Sequence, residues 1–434
     1  MTLHKNIPAV NKKIEDLIQN DYGMITSTLT NRLGPESITT VESIVTNSYN
    51  EAKTKWSAGS LPLDPKDFIW QFVTDNTSEL FCHKIFNHDY PSKTTDSQYI
   101  VNLEYPNKNE VVLNKVIMLF ACSHPSNELD VNAAFVLKIL GGYSSSYIAR
   151  MLSKNESVVI NSLETAKEQI IEKKIPFAIP GKYVLRDRTV NLLKLLTYIF
   201  ELGYNHPDDR IRVSPDVCNT AINLCEVLAK HPMTNIPETR AHMAYMLLCG
   251  SRLKSLIDSN GNVLKLQEQD RELWDREMIK NGIEFLYKSA SGKNVDKIHL
   301  KAGVEAIHAT SSDYIDTNWD QIVSLYENYL NVHNCPQTEL EMAYALSKRN
   351  GPKAGIEAIK KIKNQEQIND TALYGISLGN MYLHIHKYET ALAHFKKGLK
   401  TAVRSSEKTY INSKIHICQQ RIRMSKRYKH GLSF

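Results

Sequence analysis

Apolar side chains recur at intervals of three and four along nearly the whole of this 434-residue chain, and no run alternates as a strand would. That period restricts the expected fold class to all-α. Punctuation then divides the helices. Residues 1–86 hold about four, among them TTVESIVTNSYNEAKTKW and, after SLPLDP, KDFIWQFVTDNTSELFCHKIF. Asp64 followed by Pro65 is a sound helix start. Residues 87–110 are polar, carry two prolines and show no amphipathic period, so they read as a linker. A second helical block spans 111–176 and ends in the prolines of IPFAIPGKY. From 177 to 434 the chain reads as a succession of helix pairs.

Charge is distributed unevenly. The net charge of +6 divides into −3 over residues 1–90, +1 over 91–185 and +8 over 186–434. Lys396 to His430 alone carries 11 basic residues against Glu407. No apolar window is long enough to span a bilayer, and the N-terminus lacks the apolar run of a signal peptide. The seven cysteines are scattered and form no CxxC pair, which points to a reduced, cytoplasmic protein with neither a disulfide framework nor a thiolate zinc site.

Motifs for catalysis are absent: there is no GxxxxGK[ST], GxGxxG, GxSxG or HExxH. The chain is therefore expected not to be an enzyme, with no catalytic residues, no metal and no cofactor. Cys122 and His124 in CSHP lack a partner pair and read as helix-end residues. His384 and His386 read as one packed and one solvated ring. DSNGN lacks calcium-loop spacing and reads as an Asn-Gly turn. EQDRELWDRE reads as a solvated helix anchored by Trp274, with a ligand site as the alternative.

Residues 137–170 carry a different signal. Gly141-Gly142 end one helix, Ser144 or Ser145 caps SYIARML, and SKNE turns into a third helix. Ile148, Ala149 and Leu152, then Val158, Val159, Leu163 and Ala166, supply the buried faces. This is the outline of a helix-turn-helix, but its third helix has no arginine, whereas a reading helix normally presents Arg, Lys, Asn or Gln. Asn161 and Gln169 can address base edges, and Lys154, Lys167, Lys173 and Lys174 can address phosphates. Farther on, in residues 371–402, Leu378, Gly379 and Tyr382 face Ala391, Phe395 and Gly398 on the next helix. Small residues opposite large ones resemble the tetratricopeptide pattern; a generic helical bundle is the alternative.

The order of these segments resembles the extracytoplasmic-function (ECF) class of sigma-70-type RNA polymerase sigma factors that carry a tetratricopeptide-like C-terminal extension. HPSNELDVNAAFVLKILGGYSSSYIARML is similar to sigma region four, and YIFELGY to the entry into the extension. AYMLLCGSRLKSLIDSNGNVLKLQEQDRELWDREMI resembles the extension signature, here Gln269, Asp270, Arg271, Trp274 and Asp275. The resemblance implies a bacterial, DNA-binding transcription regulator. Region two (1–86) would clamp core RNA polymerase and melt promoter DNA, and region four (111–176) would read the promoter. The extension (177–434) would meet a regulatory protein or ligand. Carried over by position, Glu42, Asn47 and Tyr49 fall on the polymerase-clamp helix. Trp70, Gln71, Thr74, Asn76 and Thr77 fall on the promoter-melting helix, and Ser157, Asn161, Ser162, Thr165 and Lys167 on the recognition helix.

The chain departs from that family in its charges. Ser43 and Thr46 stand where an acidic residue and a glutamine are usual in the clamp helix, and FIWQFVTDNTSELF lacks the usual arginines. Fewer phosphate contacts mean weaker, less salt-dependent DNA affinity. The alternative reading is thus an interaction protein on a sigma scaffold, which binds partners through its repeats without melting promoters. The basic C-terminal segment reads as a solvated capping helix, or else as a contact for nucleic acid or an acidic polymerase face.

Overall fold

The computed structural model describes residues 7–58, 61–86, 104–206, 213–259, 263–290, 295–333, 335–403 and 405–431. Within them the chain is all-α, and its one β feature is an isolated antiparallel bridge between Ile257 and Val263. No helix among these residues is long and apolar enough to cross a membrane. The chain forms two compact units: residues 1–200 with 219–235, and residues 201–218 with 236–434.

The first unit opens with α1 (Ile7–Leu17), which passes through a π-turn at Ile18–Tyr22 into α2 (Gly23–Leu33). Next come α3 (Ile38–Ala58) and α4 (Pro65–Phe86). Their common core joins Val10, Leu29, Val45, Trp56, Ile69 and Val73. Most of the expected linker, residues 87–103, lies outside the described residues. Helix α5 (Lys108–Cys122) then starts under an Asn107 cap whose side chain accepts from the Asn109 and Glu110 amides. It is followed by α6 (Leu129–Ile139), α7 (Ser145–Met151) and α8 (Glu156–Ile171).

These two expected domains lie in one unit, joined by polar contacts at a close crossing. Asn31 donates to Asn114 at 2.7 Å, and Arg32 pairs with Glu110 at 2.7 Å. A β-carbon on Gly23 would collide with the Leu140 carbonyl, so glycine is what lets α2 meet the end of α6. Helix α9 (Lys182–Tyr204) and α10 (Pro215–Lys230) contribute residues to both units.

The second unit is built of helical hairpins: α11 (Pro237–Gly250) with α12 (Arg276–Ser289), then α13 (Lys297–Thr310) with α14 (Trp319–Leu330). They continue with α15 (Pro336–Asn350) and α16 (Pro352–Lys361), then α17 (Ala372–His384) and α18 (Tyr388–Thr401), ending in α19 (Ser405–Gly431). Helices α15 and α16 are separated by Gly351 alone, at φ 87°, a left-handed turn that reverses the chain. At the α17–α18 crossing, a β-carbon on Gly375 would lie 2.6 Å from the Gly398 α-carbon. Phe395 is fully buried beside it, as the small-against-large pattern in the sequence requires.

Gly375→Ala is expected to lower the stability of the second unit by about 1–3 kcal/mol, the usual cost of overpacking. Urea unfolding measures it; an unchanged midpoint would mean that α17 and α18 can part without cost.

Candidate functional site

The three helices and two turns expected over residues 137–170 form as α6, α7 and α8, with one side chain placed differently. Gly142 takes the left-handed conformation (φ 70°) after α6, and the Ser144 hydroxyl accepts from the Tyr147 amide at 3.2 Å, capping α7. Ile148, Ala149 and Leu152 are buried, as are Val159, Leu163 and Ala166 on α8. Val158 was expected in this core, yet it is 49% exposed. It stands one residue before Val159, about 100° around the helix, so the two cannot share a face. The outward surface of α8 presents Ser157, Asn161 and Thr165, spaced four apart on one side. Ser162 is half-buried and bonds locally to the Val158 carbonyl at 2.8 Å.

Lys167 points elsewhere. It pairs with Glu42 of α3, which also accepts from Lys138 of α6 at 3.1 Å. All three side chains are nearly buried, at 10%, 16% and 12% exposure for Glu42, Lys138 and Lys167. A clamp-helix candidate and a recognition-helix candidate are therefore each other's partners. Lys154 is likewise held by Asp130 at 2.6 Å and Lys174 by Glu172 at 2.5 Å. Of the basic residues that the sequence offers to phosphate in this region, Lys173 is exposed at a left-handed turn (φ 59°).

The remaining first-unit candidates divide by burial. Tyr49 is core, with its ring 5.9 Å from that of Tyr22. Trp70 is buried edge-on to Tyr105 at 5.2 Å, and Thr77 is buried with its hydroxyl on the Val73 carbonyl. Asn47 and Gln71 are exposed, and Thr74 and Asn76 are half-exposed.

In the second unit the EQDRELWDRE segment forms a strap across α11, α12 and α13 and is not one solvated helix. Two 3₁₀ turns, Leu266–Glu268 and Arg271–Leu273, precede α12. The Gln269 amide donates to the Leu264 carbonyl at 3.1 Å, and Asp270 caps the second turn by accepting from the Glu272 amide. Arg271 donates to the carbonyls of His308 and Ser311 at 2.7 and 2.6 Å while stacking 4.4 Å from the Trp274 ring. Trp274 is buried and donates to the Ser255 hydroxyl at 2.8 Å. Asp275 caps α12 through the Glu277 and Met278 amides. Beneath the strap, the buried Arg252 pairs with Glu305 at 2.7 Å. Burial works against the Arg252 charge, but the Glu305 carboxylate outweighs it and keeps the guanidinium firmly protonated. The middle of the expected Asn-Gly turn, residues 260–262, lies outside the described residues. So does Arg404 in the basic C-terminal stretch, and no side chain is described from Lys426 onward.

No group of three or more His, Cys, Asp or Glu residues among the described residues could hold a metal ion. None of the six cysteines whose side chains are described forms a disulfide, and burial pushes the thiols of Cys122, Cys225 and Cys249 well above their ordinary range.

Residues 188–290, which include the strap, match a family model described as a family of unknown function, DUF6596. The chain is also similar to an uncharacterized protein of Rhizobium meliloti (strain 1021), 28% identical over 298 residues, which span 69% of this chain and 70% of that protein. No solved structure matches the chain.

Two tests follow from the buried charges. Glu42→Gln should cost about 3 kcal/mol by leaving two enclosed ammonium groups without their anion, whereas replacing Glu42, Lys138 and Lys167 together by Met should restore most of it. Equal losses in both variants, measured by denaturant unfolding, would show that the triad is not a coupled unit. His308 is buried, and desolvation holds its ring below the ordinary 6.5, opposed by Glu305 and aided by Arg252 and Arg271. Burial depresses His299 and His394 in the same direction. The unfolded chain takes up these protons first, so their stabilising contribution is full above pH 6.5 and is lost as the pH falls below it. Thermal unfolding between pH 8 and 5 should show that decline, and His308→Gln should flatten it.

Proposed function

We propose that this chain is a sigma-type transcription initiation factor of the ECF class, regulated through a tetratricopeptide-like extension. The observation that carries this reading is the outward face of α8. Its inner side is packed into a helix-turn-helix core, while Ser157, Asn161 and Thr165 stay exposed in one line. In the major groove an asparagine amide pairs bidentately with adenine, and hydroxyls accept or donate to either base edge. Asn47 on α3 and Gln71 and Thr74 on α4 are the accessible groups for core polymerase and promoter DNA. Tyr49, Trp70 and Thr77 serve instead as framework. Glu42 becomes available to a partner only when Lys138 and Lys167 release it. The reading expects no enzyme activity and a place in the bacterial cytoplasm beside the polymerase.

One observation favours the second reading, a sigma-scaffold interaction protein that does not melt promoters. Helix α8 carries Glu156, Glu164 and Glu168 against Lys167, whose charge is already taken by Glu42. A helix that is acidic outside repels phosphates, and phosphate contacts supply much of DNA affinity.

The deciding experiment measures affinity for bacterial core RNA polymerase and promoter-dependent initiation in the same complex. The sigma reading expects both, with a shallow salt dependence of DNA binding. It also expects Asn161→Ala to cost about 1–3 kcal/mol of promoter discrimination at unchanged polymerase affinity. Polymerase binding without initiation selects the second reading, and no binding removes the first.

A further inference from the structure

The second unit carries an open pocket of about 490 Å³ between the Lys265–Gln267 turn, helices α13, α14 and α15, and parts of α17 and α19. Its size falls within the range of small-ligand sites. One wall is aromatic. Trp319 meets Tyr314 edge-on at 5.7 Å and Tyr344 edge-on at 6.5 Å, with the buried His308 ring 5.5 Å away. Another side is formed by Tyr410, oriented by its hydroxyl, which donates to Asn380 at 2.9 Å.

Three lysines line the same space. Lys265 lies 3.6 Å from the Tyr410 ring centroid and Lys414 lies 5.3 Å from it. Lys348 sits 5.5 Å from Tyr314 and 5.4 Å from Tyr344. Glu341 is the one carboxylate of the lining, and it faces Lys297 at 3.9 Å. The pocket thus presents three ammonium groups resting on aromatic faces, contacts that attract weakly, and the Glu268 carboxylate beside Lys265 offsets only part of that charge. Desolvation lowers the affinity of Lys265 for its proton, Glu268 opposes this, and the adjacent Lys414 adds to it. An anion placed between Lys265 and Lys414 would relieve that repulsion, and a flat ring would extend the edge-to-face packing of the wall.

We infer that this pocket binds a small aromatic anion, with Lys265 and Lys414 receiving the carboxylate or sulfonate and the Tyr314–Trp319–Tyr344 wall receiving the ring. Lys348 supplies a third positive charge beside the aromatic wall, so a dianion suits the site better than a monoanion. The inference deepens the reading of the extension as regulatory. Its test uses the free full-length chain without polymerase, so failure of the site and failure of the sigma reading are seen separately.

The probe is naphthalene-2,6-dicarboxylate, titrated calorimetrically with tryptophan emission followed in parallel. Expected is saturable one-to-one binding with Kd on the order of 0.1 mM. The neutral naphthalene-2,6-dicarboxamide should bind at least about tenfold more weakly, and so should the probe to Lys265→Gln/Lys414→Gln. Lys265→Arg/Lys414→Arg should keep the affinity within about threefold. Comparison of the two probes on the unaltered protein does not depend on how any variant folds. Absence of saturable binding, equal affinity for the diamide, or an unaffected double-Gln variant would each overturn the site. Tighter binding of an acetylated hexaglutamate peptide than of the naphthalene dianion would overturn it in favour of a groove for acidic peptides.

Discussion

Glu42 accepts from two lysines that belong to different helices, and the first unit is organised around that acceptance. Lys138 comes from the end of α6 and Lys167 from the later part of α8, so one carboxylate draws both onto α3. A charge so enclosed is costly unless it is paired, and removing either sign leaves the other exposed to that cost. The same contact withdraws Lys167 from any surface and decides which part of α8 can be read from outside. What remains is a neutral, hydroxyl- and amide-bearing line flanked by glutamates. Such a face is suited to specific hydrogen bonding more than to gripping a polyanion.

The second unit solves a related problem with an arginine and an indole. The segment between α11 and α12 has little regular structure, and its backbone polar groups need partners. Arg271 answers two carbonyls at the C-terminal end of α13, those of His308 and Ser311, while its plane lies on Trp274, and Trp274 fills the space above the Arg252–Glu305 pair. The strap thereby closes three helices together and places Lys265 beside Tyr410. The Gln269–Asp275 segment is thus a structural fastening, and the cationic aromatic pocket lies next to it.

Much of this was legible from residue order. Helical spacing predicted the all-α class, Gly141-Gly142 and the serines after them predicted the turn into α7, and the paired small residues predicted the α17–α18 crossing. EQDRELWDRE was not legible. Its charges fall at helical spacing, but caps by Asp270 and Asp275 and the buried indole break it into turns. Val158 was misplaced because a buried face was drawn one residue too wide. The burial of Tyr49 and Thr77 was equally hidden, since a tyrosine or threonine on a helix looks the same whether it faces a partner or the core.

Sequence by itself determined the elements: where helices begin, where glycine and proline end them, and which stripe of each is apolar. These are local properties, set by periodicity and by backbone preferences within a few residues. Tertiary structure alone decided the partners. Glu42 and Lys167 are 125 residues apart and Lys265 and Tyr410 are 145 apart, and no local rule relates them. A lysine's charge is visible in a sequence. Whether that charge is spent on a buried carboxylate or left lying on a tyrosine ring depends on which distant helix packs beside it.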